Sequence, residues 1–119
     1  MISDNRIAIS LLKKEVEDFI RERAWEKYHN PKNVSESILI EAAELLEIFQ
    51  WVSTDESLEH ARKNIEKVKD ELADVLIYCL SLANVLDIDV SQIVIEKLRR
   101  NKEKYPVERY YGRYEKTPV

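Results

Sequence analysis

The sequence predicts an all-α protein, a four-helix bundle, on three observations. Its 119 residues include one glycine and three prolines, so long stretches carry no helix breaker. No long segment alternates polar and apolar residues with the period of two that a half-buried strand requires. From Ala61 to Leu86, by contrast, apolar residues recur in four-three spacing: Ala61, Ile65, Val68, Leu72, Val75, Cys79, Leu82 and Leu86. That rhythm marks a helix with a packed seam.

The first helix is expected from about Arg6 to Arg23, with Ala8, Leu12, Val16 and Phe19 on one face and charged residues on the other. Pro31 disfavours a helical Asn30, which leaves residues 24–33 as a loop and Asn33 as the N-cap of a second helix reaching about Trp51. The third helix carries the seam just described. From Val75 to Leu86 it is apolar nearly all round, so one small subunit cannot cover it, and a dimer interface is expected there. A fourth helix starts at the N-cap Asp89, turns Ile93, Val94 and Leu98 inward and ends near Tyr105, before Pro106. This gives one domain over residues 1–107 and a C-terminal tail over 108–119, with no internal repeat.

Composition narrows the function. Charged residues are 35% and hydrophobic residues 45% of the chain, which suits a folded globular protein. The formal net charge of −4 supplies no basic field for a nucleic-acid backbone, so no nucleic-acid partner is expected. The single cysteine, Cys79, excludes an intrachain disulfide and a multi-thiolate metal site. Charges at Asp4, Arg6, Lys13 and Lys14 interrupt any signal-peptide core, and no apolar run is long enough to span a membrane. The expected setting is the cytoplasm, without membrane attachment.

The chemistry lies in the acidic residues. Ile38, Glu41, Leu45, Ile48 and Val52 share one stripe of the second helix, which sets Glu41 in an otherwise apolar seam. An ionised carboxylate there costs several kcal/mol unless a cation or several donors meet it. Glu44 follows one turn later. After 26 intervening residues the third helix repeats the device with Glu71 and Asp74, continued by Tyr78 and Ser81. A lone E-x-x-E is most often a solvated helix face, but two such pairs on facing helices repel unless divalent cations neutralise them. All-oxygen ligands select magnesium, manganese or calcium, and magnesium also grips phosphates.

The pattern Glu41-x-x-Glu44 followed by Glu71-x-x-Asp74 resembles the MazG-like nucleoside triphosphate pyrophosphohydrolases. More narrowly, "FIRERAWEKYHNPKN", "EAAELLEIFQW", "ELADVLIYCLSLANVLDID" and "KLRRNKEKYPV" look like the dCTP pyrophosphatase branch, in the same order, from Phe19 to Val107. Tyr28 stands where that branch commonly has phenylalanine. The resemblance implies that Glu41, Glu44, Glu71 and Asp74 hold Mg2+, for which Mn2+ can substitute. It also implies that Glu41 or Glu44 serves as the base for an attacking water.

Trp25, Tyr28, His29 and Trp51 flank the second helix and have the chemistry to stack on a base or bond its edge. The resemblance assigns Trp25, His29 and Trp51 to a nucleoside pocket, to which Asn33 and Tyr78 are added as substrate-binding candidates. On residues alone, the tryptophans equally suit the end of a bundle, and Tyr78 its core. Lys97, Asn101 and Lys104 form a polar stripe on the fourth helix, and the resemblance makes them triphosphate contacts; adjacent Arg100 is read as solvated. The implied reaction converts a nucleoside triphosphate, with dCTP or a modified pyrimidine deoxynucleotide foremost, to the monophosphate and pyrophosphate in a homodimer or homotetramer. Two rivals remain at this point. One is a di-iron bundle using Glu26-x-x-His29, although a second such motif is missing and Pro31 ends that turn. The other is a non-catalytic helical adaptor that oligomerises through its third helix.

Overall fold

A computed structural model of the chain describes residues 1–113. Among them there is no strand, and the α-helices are α1 (Ile9–Glu22), α2 (Pro31–Glu47), α3 (Ser57–Lys63), α4 (Ile65–Leu86), α5 (Val90–Lys104) and α6 (Val107–Tyr110). Short 3-10 turns at Glu26–Tyr28 and Thr54–Glu56 precede α2 and α3. The four expected helices are present as α1, α2, α4 and α5. None of the described helices is long and apolar enough to cross a membrane.

Two expectations about local structure are corrected. Asn30, not Asn33, is the N-cap of α2: its Oδ1 accepts the Asn33 backbone N–H at 2.9 Å, and Pro31 occupies the first helical position. That suits both residues, because proline has no N–H to orphan there and its ring presets φ. Asn33 lies one turn inside, where its side-chain amide donates to the Tyr28 carbonyl at 3.2 Å and ties the preceding turn to the helix. The apolar seam from Ala61 to Leu86 is also not one helix. Asn64 ends α3 with φ −119° and ψ 30°, while its backbone and side chain both donate to the His60 carbonyl, at 3.1 and 2.9 Å. The Asn64 N–H also bonds the Ala61 carbonyl at 3.2 Å, the tighter three-residue bond that closes helix ends. Separately, Val107–Tyr110 forms a helical turn where the tail is expected to start, and residues 114–119 lie outside the described residues.

The chain forms two units, one over Met1–Ile88 and one beginning at Asp89. In the first, α4 packs along α2 and against α1. Val34, Ile20 and Ala83 are its buried apolar side chains, joined by Ser81. Two reciprocal bonds fasten α1 to the end of α4: Asn84 Nδ2 donates to the Lys13 carbonyl at 2.8 Å, and Lys13 Nζ donates to the Ile88 carbonyl at 2.6 Å. In the second unit α5 begins at Asp89, whose Oδ1 accepts the Gln92 N–H at 2.8 Å, and Tyr105 packs edge-on to Tyr110.

Ala24 stands in the left-handed region at φ 53°, where the end of α1 turns and the Trp25 N–H reaches back to the Ile20 carbonyl at 3.0 Å. Glycine takes this conformation without the Cβ penalty. Ala24→Gly should therefore raise the melting temperature by roughly 4 °C, the shift that about 1 kcal/mol produces in a domain of this size. An unchanged or lower melting temperature in thermal unfolding counts against strain at this turn.

Many large apolar side chains of the first unit remain open. Leu72, Leu76, Ile77 and Leu86 on α4 are all exposed, as are Leu12 and Phe19 on α1. A groove of about 440 Å³ runs between α1 and α4, walled by Leu12, Val16, Phe19, Leu76, Ile77 and Leu80. A second, of about 420 Å³, lies between α2 and α4 over Leu45, Leu46, Phe49, Val68 and Leu72. The apolar circumference of the long helix is thus left uncovered on two flanks.

Candidate metal and nucleotide site

The positions of α4 that are more covered include Val68, Glu71, Asp74, Val75, Tyr78 and Ser81. Leu72 and Cys79, though on the apolar seam, face outward. The inward stripe therefore includes acidic and hydroxyl groups, and it meets α2 where Glu41 lies partly covered and Glu44 exposed. Carboxylate oxygens of Glu41, Glu44 and Glu71 all lie within 4.8 Å of one another. Asp74 falls outside that trio, but its charge bears on both Glu41 and Glu71.

The electrostatics of the cluster are unresolved by the protein itself. Glu41 Oε2 and Glu71 Oε2 are shut off from solvent with no hydrogen-bond partner. Burial, followed by the close approach of Glu44 and the charges of Asp74 and Glu71, pushes the Glu41 carboxyl up to about 7. Glu71 is also raised, by burial first and then by Glu44 and Asp74, with Lys67 offsetting only part of this. The described ion pairs are along-helix or near-neighbour pairs of exposed residues elsewhere, and none engages this cluster. Orphaned buried oxygens are costly. A hard divalent cation with oxygen ligands satisfies them and removes the repulsion. The residues present therefore fit a hard divalent cation, which Glu41, Glu44 and Glu71 would hold, with Asp74 beside them.

The aromatic candidates divide between the two ends of α2. At its N-terminal end, the His29 imidazole stacks on the Tyr78 ring with centroids 6.4 Å apart and planes 14° from parallel. His29 Nδ1 is 2.8 Å from the Trp25 carbonyl, so this nitrogen carries the proton of the bond. Trp25 packs edge-on to Phe19 at 5.9 Å. His29 also walls a cavity of about 140 Å³ together with Ile20, Glu26, Ser81, Asn84 and Val85. Trp51 lies beyond the other end of α2 and is 89% exposed. The 17 residues of α2 put about 25 Å between its ends, so one chain does not bring Trp51 to Trp25 and His29.

Lys97, Asn101 and Lys104 share a face of α5 in the second unit. Asn101 is partly covered, and Lys104 Nζ lies 5.5 Å from the Tyr105 ring centroid. The Glu26/His29 half-motif does not enter the acidic group: Glu26 belongs to the 3-10 turn, and His29 spends Nδ1 on Trp25. Sequence reasoning passed over His60 and Phe49 altogether. His60 reaches across 12 residues to the end of α2, and no periodicity or motif announces that contact.

Two packed helices of an all-α fold thus gather carboxylates, two of them with buried unpartnered oxygens, in a group suited to a divalent cation. The chain matches the MazG-like family over residues 36–117, and it belongs to that family. It is similar to a solved pyrophosphatase of Archaeoglobus fulgidus, with 43% identity and a TM-score of 0.81, covering 89% of this chain and 99% of that one. It is also similar to dCTP pyrophosphatase 1 of Mus musculus, 40% identical over 92 residues, and of Homo sapiens, 35% identical over 91. Those stretches cover 76% and 75% of this chain, but it spans only 54% of the length of either relative.

Proposed function

We propose that this chain is a magnesium-dependent nucleoside triphosphate pyrophosphohydrolase. Its foremost substrate is dCTP or a modified pyrimidine deoxynucleotide, cut to the monophosphate and pyrophosphate. The observation that carries the reading is the meeting of Glu41, Glu44 and Glu71 with two orphaned buried oxygens, in a chain of the MazG-like family. The named activities of the similar dCTP pyrophosphatases and of the archaeal pyrophosphatase support the choice of reaction.

Magnesium, when bound, supplies charge neutralisation for the triphosphate and polarises its phosphoryl oxygens. The protein's own part is to hold and orient. Glu41, Glu44, Glu71 and Asp74 would hold the cation, and Glu41 or Glu44 would accept a proton from the attacking water. The water oxygen bonds to the α-phosphorus, the bond from that phosphorus to the αβ-bridging oxygen breaks, and pyrophosphate leaves. Tyr78 and His29 offer a stacked pair beside the carboxylates for the nucleoside, with Trp25 and Asn33 bracing the turn that carries His29. Lys97, Asn101 and Lys104 are suited to phosphate oxygens by charge and by donor geometry. A panel of nucleoside triphosphates assayed for pyrophosphate release tests the reading; preference for cytosine deoxynucleotides is expected, and no release from any of them contradicts it.

The working form is a homodimer or homotetramer. Two apolar grooves on the first unit support this, and so does the separation of Trp51 from His29, because a base touching both residues needs two copies of the chain. Leu76→Asp sets a charge in the α1–α4 groove and should shift the protein to monomers at micromolar concentration. Analytical ultracentrifugation of both proteins checks this, and a monomeric wild type that turns over nucleotide at the same concentration contradicts it.

A further inference from the structure

We propose that His60 is a positioning residue that holds Trp51 in place at the end of α2. The inference rests on the reading of Trp51 as a nucleoside contact and adds the group that makes so exposed a side chain usable. Helix C-termini leave their last carbonyls without intrahelical donors. At the end of α2 one of these is Ile48, and His60 Nε2 lies 2.8 Å from its oxygen. A carbonyl only accepts, so Nε2 carries the hydrogen. The same imidazole packs edge-on against Phe49, with centroids 6.0 Å apart and planes at 69°. The Phe49 carbonyl in turn accepts the Val52 N–H at 3.1 Å, which closes a turn with Trp51 inside it.

His60 is itself anchored. Its own carbonyl accepts from the Asn64 backbone and side chain, at the joint where α3 passes into α4. A continuous set of contacts therefore runs from the start of α4, through His60, to the residues on either side of Trp51. Trp51 is 89% exposed and makes no ring contact of its own among the described residues, so the backbone of this turn fixes the point from which its ring projects. Ordering it before a base arrives lowers the entropy cost of stacking, which acts on binding rather than on the chemical step.

The test uses the 119-residue chain with magnesium, labelled with 5-fluorotryptophan, as wild type, His60→Ala and His60→Gln. Glutamine places an N–H the same number of bonds from Cβ as His60 Nε2. In His60→Ala the KM for dCTP should rise roughly two- to tenfold, the cost of ordering one side chain on binding, with kcat within about twofold. The fluorine resonance of Trp51, assigned with Trp51→Phe, should shift and narrow while that of Trp25 stays. His60→Gln should return both measurements most of the way to wild type. If His60→Ala does not fold, His60→Leu fills the space without a donor and takes its place. A Trp51 resonance unmoved in the folded variant overturns the proposal, as does a loss of kcat with KM unchanged. If the wild type hydrolyses no nucleotide, the reading of the activity fails, and the fluorine spectrum alone decides whether His60 holds Trp51.

Discussion

Glu41→Gln should lower turnover at least ~100-fold while leaving the protein folded. Glutamine keeps the shape of the side chain and one oxygen acceptor but removes a negative charge from a group of three carboxylates within 4.8 Å. As a cation ligand it is weaker, and as a base it is useless, so both proposed roles of Glu41 are lost together. Without metal the same change relieves repulsion from Glu44, Glu71 and Asp74 and places a neutral group where burial already disfavours charge. The metal-free variant should therefore melt no lower than wild type. Its stabilisation by magnesium should shrink, because a ligand that binds the native state contributes according to its affinity. Pyrophosphate release and melting curves, each with and without magnesium, read all three effects. A folded Glu41→Gln protein with wild-type turnover removes Glu41 from the reaction.

Removing magnesium should abolish turnover, and the stability of the metal-free protein should depend on pH in a particular direction. The Glu41 carboxyl is raised from an ordinary 4.5 to about 7, and Glu71 is raised with it. A carboxyl whose folded pKa exceeds its unfolded value binds its proton more tightly in the native state. The stability linked to that proton is fully present below about pH 4.5 and is lost as pH rises to about 7. Across that window the metal-free protein should lose melting temperature, and above it this contribution should level off. Saturating magnesium competes with the protons and should flatten the dependence, so the gap between metal-loaded and metal-free curves widens from pH 5 to pH 8. Metal-free stability that rises through this window, or full turnover in excess chelator, contradicts the assignment.

The legible part of the fold was that governed by short-range rules. Asp89 caps α5 as its side chain and position dictate, and the four-three stripe through Glu41 lies against α4. The approach of Glu41, Glu44 and Glu71 follows from the same short-range spacing on two packed helices, with Asp74 left outside that trio. The break at Asn64 was not legible, because the helix tightens there to a bond from the Asn64 N–H to the Ala61 carbonyl, against an apolar rhythm that favours continuation. Near Pro31, Asn30 and Asn33 compete for one cap, and the proline's fit at the first helical position decides it. Leu72, Cys79 and Leu86 match the seam in spacing but face outward, because the inward stripe is given to Glu71, Asp74, Tyr78 and Ser81. The tryptophans illustrate another limit: the resemblance assigns both to one nucleoside pocket, yet α2 holds Trp25 and Trp51 at opposite ends of one chain.

The products of dCTP hydrolysis test the central claim most directly, because cleavage at the α-phosphorus and cleavage at the γ-phosphorus leave different pairs. Phosphorus NMR of dCTP incubated with the protein and magnesium should show dCMP and pyrophosphate in equal amounts, with no reaction in chelator. The appearance of dCDP and orthophosphate, or the survival of dCTP and every other nucleoside triphosphate in the presence of magnesium, would contradict it.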